Sequence, residues 1–244
     1  MIHSRIGHLR EPELNYTGLD ILRALEGATN YNALLTDLIL RSADDRQPMV
    51  DFGAGIGTSA KLLRTQAVKV ICVEPDPYLA EGLIQDGFHT LRELEEVNDN
   101  SVDFLFSLNV IEHIEDDDAV FKALSRKLKA GGRMFIYVPA FHCLWTGLDD
   151  KLKHFRRYTR DGLERLVGSA GLCVRESGYV DTLGFLAALV FKVIGNKSGD
   201  LTPESIHFYD RHIIPPSKLL DHLFHSLFGK NVYVLCEKNR PQSL

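Results

Sequence analysis

Apolar runs separated by stretches in which apolar residues recur at helical spacing predict a chain that alternates buried strands with amphipathic helices. Residues 48–52 read as a first strand, 68–73 (VKVICV) as a second, 101–108 (SVDFLFSL) as a fourth and 129–139 (KAGGRMFIYVP) as a fifth, with a third between the second and fourth. A helix is expected over residues 31–40 (YNALLTDLIL), where Leu34, Leu35, Leu38 and Ile39 share one face, and another from about Thr58 to Arg64. The acidic run from Glu115 to Asp118 suits a helix N-terminus, and the glycines at 131 and 132 are expected to close that helix before the fifth strand. Residues 172–180 (LCVRESGYV) and 231–237 (NVYVLCE) read as two further strands.

The junction after the first strand reads VDFGAGIGT, with glycines at 53, 55 and 57. Glycine lets the backbone turn tightly and approach a ligand where a Cβ would clash, and the helix that follows aims its unpaired amides at the same place. The dinucleotide fingerprint GxGxxG needs its third glycine one place later, where this chain has Thr58. Asp51, two places before the first glycine, would repel a pyrophosphate and attract a ligand carrying an ammonium group. Glu74 ends the second strand seventeen residues beyond Gly57, which leaves room for one helix and one strand. An acidic side chain at that point can accept hydrogen bonds from both hydroxyls of a ribose.

On these residues the chain resembles the class I S-adenosylmethionine (SAM) dependent methyltransferases, whose first motif has this DxGxGxG form. The segments at 101–114 and 129–139 are similar to later motifs of that class, in the same order, so the resemblance extends over residues 31–179. It implies an α/β, Rossmann-like, seven-stranded and mostly parallel sheet with the last strand antiparallel and helices on both faces. It also implies SAM as cofactor, held by Asp51, Gly53, Ala54, Gly55 and Gly57 in the loop and by Glu74 and Pro75 after the second strand. Leu94 is then expected beside the adenine, and Asn109 beside the methionine part. Tyr31 either reaches the cofactor from a covering helix or only packs the start of that helix.

The connection after the fifth strand, PAFHCLWTGLDDKLKHFRRYT, resembles the HxRRYT element of a bacterial methyltransferase group associated with glycosyltransferases and surface-polysaccharide assembly. Many of that group have glycine where this chain has Lys153. Methyl transfer needs an aligned attack and, for a hydroxyl or amine nucleophile, a group that takes the proton. His154, then His113, then His142 are the candidate bases, and Tyr158 is a further candidate catalytic residue. His113 has an alternative role in shaping the turn after the fourth strand. Arg156 and Arg157 could hold an acceptor phosphate or carboxylate. Alternatively, Arg157 and Tyr158 pair with Asp149 or Asp161 and fix the helix that begins near Thr159.

Composition narrows the setting. A chain of 244 residues, 45% hydrophobic, can bury one large core, so a single methyltransferase domain over 1–244 is expected. Residues 1–47 would form a lid or flanking helices, and residues 181–230 an insertion capping the acceptor site. The net charge of −5 gives no general basic surface, so no nucleic acid partner is expected. Four separated cysteines without a CxxC pair fit reduced thiols in the cytoplasm. No metal is expected, because the run at 115–118 looks like a helix start and not a ligand set. The apolar stretch 183–194 (LGFLAALVFKVI) is too short to cross a bilayer. It is expected to be a buried cap helix, a dimer contact or a surface meeting a membrane or lipid tail, and the oligomeric state stays open. The reading as a whole is a SAM-dependent methyltransferase acting on a small-molecule or lipid- or sugar-linked acceptor, with oxygen as the expected acceptor atom. Its rivals are a nicotinamide-dependent oxidoreductase and a non-catalytic SAM-binding module.

Overall fold

Seven strands assemble into one sheet: β1 (Met49–Phe52), β2 (Val70–Val73), β3 (His89–Leu91), β4 (Val102–Leu108), β5 (Leu128–Pro139), β6 (Leu172–Val180) and β7 (Asn231–Lys238). Their spatial order is β3-β2-β1-β4-β5-β7-β6. The first five run parallel, and β7 lies antiparallel between β5 and β6. The expected α/β sheet, with its last strand reversed, is therefore present. The computed structural model describes residues 18–194 and 202–240, so residues 1–17 of the expected N-terminal lid and 195–201 of the expected insertion lie outside the described residues.

The sheet order reverses at β1, which has β2 on one side and β4 on the other. In an open parallel sheet this reversal leaves a crevice beyond the carboxyl ends of the two diverging strands, and a ligand site is expected there. Side chains of β5 alternate between the two faces, as the pleat requires. Met134, Ile136 and Val138 pack on one face with Phe121, Leu124, Leu163 and Val167. Phe135 and Tyr137 pack on the other with Leu35, Leu38, Ile39, Ala60 and Leu63. The first group of partners comes from α5 (Asp117–Lys127) and α7 (Arg160–Ser169), the second from α2 (Thr29–Ala43) and α3 (Thr58–Thr65). Phe104, Phe106, Phe135 and Tyr137 are wholly buried. Each phenylalanine ring among them contributes about 1.5–3 kcal/mol, which fixes the ends of β4 and β5 that border the crevice.

Two expectations are corrected. The glycine pair does not close α5; the helix ends at Lys127 and β5 begins at the next residue. Gly131 has φ +78 and a Cβ on Gly132 would stand 2.7 Å from the Val102 carbonyl oxygen, so the pair serves an irregularity where β5 pairs with β4. The apolar stretch 183–194 is not a fully buried cap helix. It lies in α8 (Thr182–Ile194), where Leu186 and Val190 are 44% and 54% exposed. With α9 (Pro203–His212) and α10 (Ile214–Phe224) it forms the insertion between β6 and β7. None of the described helices is long and apolar enough to cross a membrane.

Candidate cofactor and acceptor sites

The glycine loop lies at the reversal point of the sheet. Gly53 has φ +81, and a Cβ there would meet the Val110 side chain at 2.4 Å. Gly57 has φ +80 and would meet Leu83 at 2.5 Å. Both positions therefore require glycine for backbone conformation and for close approach. The Gly53 and Ala54 amides donate to the Val73 carbonyl at 2.9 and 3.2 Å, which hooks the loop to the end of β2. Leu22 of α1 (Leu19–Glu26) lies over the loop, 3.4 Å from the Cβ position of Gly55.

Glu74 leans back into this loop. Its carboxylate accepts from the Gly55 amide at 2.7 Å and from the Asp76 amide at 3.0 Å. It is only 6% exposed, and burial raises its pKa. Asp76 caps α4 (Pro77–Gln85) through the Tyr78 and Leu79 amides. Asp51 is buried one strand away; burial, reinforced by the nearby Glu74, pushes its carboxyl up to about 8. Across the crevice Asn109 has φ +53, and its side-chain amide donates to the Tyr31 hydroxyl at 3.4 Å. The Tyr31 ring also meets Tyr137 edge-on at 6.5 Å. Asp51, Glu74, Asn109 and Tyr31 thus gather around the loop from β1, β2, β4 and α2. Pro75 is exposed, with its carbonyl accepting from Arg92. Leu94 is turned into the apolar core with Val73 and Val97. A loop that a Cβ would fill, bordered by a carboxylate at the end of β2, fits SAM.

The segment 140–159 is organised around one carboxylate. Asp149, whose side chain is 1% exposed, accepts from the Thr146 amide at 2.8 Å, from Arg157 Nε and Nη2 at 2.8 and 3.0 Å, and bonds His154 Nδ1 at 2.9 Å. Burial opposes its charge, but the bonds from His154 and Arg157 outweigh that and hold it well below the usual carboxylate range. Arg157 also donates to the Ala140 carbonyl at 3.2 Å. Arg156 pairs with Asp117 at 2.6 Å and donates to the Glu115 carbonyl. Both arginines are therefore engaged with the protein, which corrects the idea of an acceptor clamp. Tyr158 lies in the core and its hydroxyl donates to Asp117 at 3.0 Å, so its candidacy as a catalytic group has no geometric support. His142 is exposed beside Trp145, at a ring separation of 5.2 Å. Lys153 takes φ +56, the left-handed conformation that glycine would adopt without strain.

His113 and His154 meet edge to face with ring centroids 4.6 Å apart. His113 Nδ1 lies 2.9 Å from the Leu152 carbonyl oxygen. A carbonyl only accepts, so that nitrogen carries the proton. Burial, then His154, lowers the His113 pKa to about 4. Beside the rings Glu112 is wholly buried, neither carboxylate oxygen has a hydrogen-bond partner, and burial pushes its carboxyl up to about 8. The Phe155 amide donates to the Glu112 carbonyl at 2.8 Å and joins the two segments. The run at 115–118 does open a helix, with Asp116 capping α5 through the Ala119 amide. Just before it, Glu112 and His113 each place a ligand-type atom within 4.8 Å of one on His154, which comes from another segment.

The profile of a family described as methyltransferase domain matches residues 16–177, well over half of the chain. No curated protein matches the chain significantly. A SAM-dependent methyltransferase of Thermotoga maritima is 19% identical, with a TM-score of 0.56 over 91% of this chain and 98% of that one. Phosphoethanolamine N-methyltransferase 2 of Haemonchus contortus, in complex with SAM, is 19% identical with a TM-score of 0.55, over 84% of this chain and 52% of that one. Geranyl diphosphate C-methyltransferase of Streptomyces coelicolor is 12% identical with a TM-score of 0.58, over 84% and 76%. At these identities the solved structures show a shared fold. The family match, together with the glycine loop and its acidic borders, sets aside the nicotinamide reading: the chain belongs to the methyltransferase domain family and is a SAM-dependent enzyme.

Proposed function

We propose that the chain methylates an oxygen of a small-molecule or lipid- or sugar-linked acceptor, with the acceptor meeting His113 and His154 beside the cofactor loop. The observation that carries this reading is the 2.9 Å bond between His154 Nδ1 and an ionised Asp149. An ionised carboxylate accepts only, so Nδ1 holds the proton and Nε2 keeps the lone pair that can take a proton from an acceptor hydroxyl. When bound, SAM supplies an already electrophilic methyl group. Asp51, Gly53, Ala54, Gly55, Gly57 and Glu74 hold it from below, with Asn109 and Tyr31 opposite. Residues 181–230 act as the cap over the acceptor and residues 1–47 as the lid. A lipid-linked acceptor is supported by Leu186 and Val190 on α8 and by Leu219 and Leu223 on α10, all exposed.

The test is an acceptor screen that follows release of the demethylated cofactor product, repeated with His154→Ala. The variant should bind SAM as the wild type does in calorimetry and lose turnover. Unchanged turnover would remove His154 from the reaction.

A further inference from the structure

We propose that Glu112, His113 and His154 form a site for one divalent ion of the zinc or ferrous type, with an open position that takes an oxygen of the acceptor. A nitrogen of each ring and one Glu112 oxygen lie within 4.8 Å of one another. Ligands about 2.1 Å from one zinc ion stand roughly 3.5 Å apart, so an inward shift of about 1 Å closes the set. Two imidazoles and a carboxylate suit zinc or ferrous iron, whereas magnesium and calcium prefer oxygen donors.

Two further features point to a ligand. Glu112 is wholly buried and both of its carboxylate oxygens lack a hydrogen-bond partner, which is rare for a buried polar group and is resolved by a cation. The rings are also held as metal ligands are. His154 bonds Asp149 and His113 bonds the Leu152 carbonyl, each through Nδ1, the way a carboxylate or a backbone carbonyl orients an imidazole that ligates a metal through its other nitrogen. Asp149 is itself fixed by Arg157 and Thr146. The inference rests on the reading above in one respect, that the acceptor meets this cluster. An acceptor hydroxyl at the open position would lose its proton to water more readily than a free one. His154 then serves as a ligand through Nε2, and the proton that this nitrogen would otherwise take goes to water. The acceptor class becomes one with a hydroxyl, or a pair of neighbouring oxygens, able to bind a metal.

The experiment strips the full chain with a chelator and titrates it with zinc and, separately, magnesium. Bound metal is measured by elemental analysis after desalting, and SAM binding to the metal-free protein is measured by calorimetry. Wild type should retain about one equivalent of zinc and little magnesium. Glu112→Gln, which keeps the side-chain shape, and His154→Ala should each weaken zinc binding at least about 100-fold, and Asp149→Asn about 10- to 100-fold. Zinc retention below about a tenth of an equivalent, or uptake that survives in both ligand variants, overturns the site. Loss of SAM binding in the metal-free wild type would instead count against the cofactor reading, so the two failures are distinguishable.

Discussion

The Asp210 carboxylate of α9 accepts the backbone N–H of Tyr31 at 2.8 Å, across 179 residues of chain, and that of Asn30 at 3.1 Å. The residue before α2, Ala28, has no side chain that can cap it. The first free amides of the helix are therefore satisfied from the insertion between β6 and β7. Asp210 is 3% exposed and also accepts from the Asn30 side chain. This contact couples the proposed cap to the helix that delivers Tyr31 to Asn109.

Asp210→Ala should lower stability by about 2 kcal/mol, the upper range for a lost helix cap, which for a chain of this size is a fall in Tm of roughly 4–8 °C. SAM affinity should weaken with it as the start of α2 loosens. Thermal unfolding with and without SAM checks this, and an unchanged Tm would show that the cap contributes nothing.

Gly53→Ala places a Cβ 2.4 Å from Val110 at φ +81. Backbone strain of about 1–2 kcal/mol adds to the steric conflict, so SAM binding should be lost or strongly reduced. Adding Val110→Ala relieves the clash but not the strain, and calorimetry should show partial recovery. Full recovery in the double variant would mean that the backbone conformation is not needed.

Stability should fall as pH rises toward 8. Burial, then Glu74, raises the folded carboxyl of Asp51 to about 8, against about 3.9 for an unfolded aspartate. The folded state thus holds a proton that the unfolded state has given up, and the stability this contributes is full below about pH 4 and lost by about pH 8. Urea unfolding between pH 5 and 9 should show a slope that is shallower in Asp51→Asn than in wild type by at most about 1.4 kcal/mol per pH unit, because the buried Glu112 carboxyl, also raised to about 8, adds its own share in both proteins. Binding of the cationic cofactor should favour the ionised form, so SAM affinity should rise over pH 6–8 in wild type and not in Asp51→Asn. Equal slopes in both proteins would be the contrary result.

Arg157→Ala leaves Asp149 charged and buried without its bidentate partner. Removal of one member of a buried pair costs about 3–5 kcal/mol, and Arg157→Lys should recover only part because it cannot bond both oxygens in the same plane. Denaturant midpoints measure this, and a loss under about 1 kcal/mol would place Asp149 in contact with water.

The Arg157 partnership shows where sequence reasoning stopped. Asp149 and Asp161 were equal candidates from spacing, and the choice follows from α6 (Gly147–Lys151), a short helix whose capping box with Thr146 turns Asp149 inward. Arg156, adjacent in sequence, points to Asp117 instead. The strand boundaries, by contrast, agree within about two residues at β1, β2, β4 and β5, because apolar runs of buried parallel strands are a local signal.

By itself the sequence determined the sheet, its alternating helices and the cofactor. Gly53, Gly55, Gly57, Asp51 and Glu74 lie at the ends of successive strands, and consecutive βαβ units bring such ends together without any distant contact. Tertiary structure decided the partners. Asp210 became the cap of α2, Asp149 the anchor of His154 and Arg157, and Glu112 with His113 and His154 a single donor cluster. Hydrogen bonds and ligand sets depend on where separate segments converge, and no periodicity along the chain encodes that convergence.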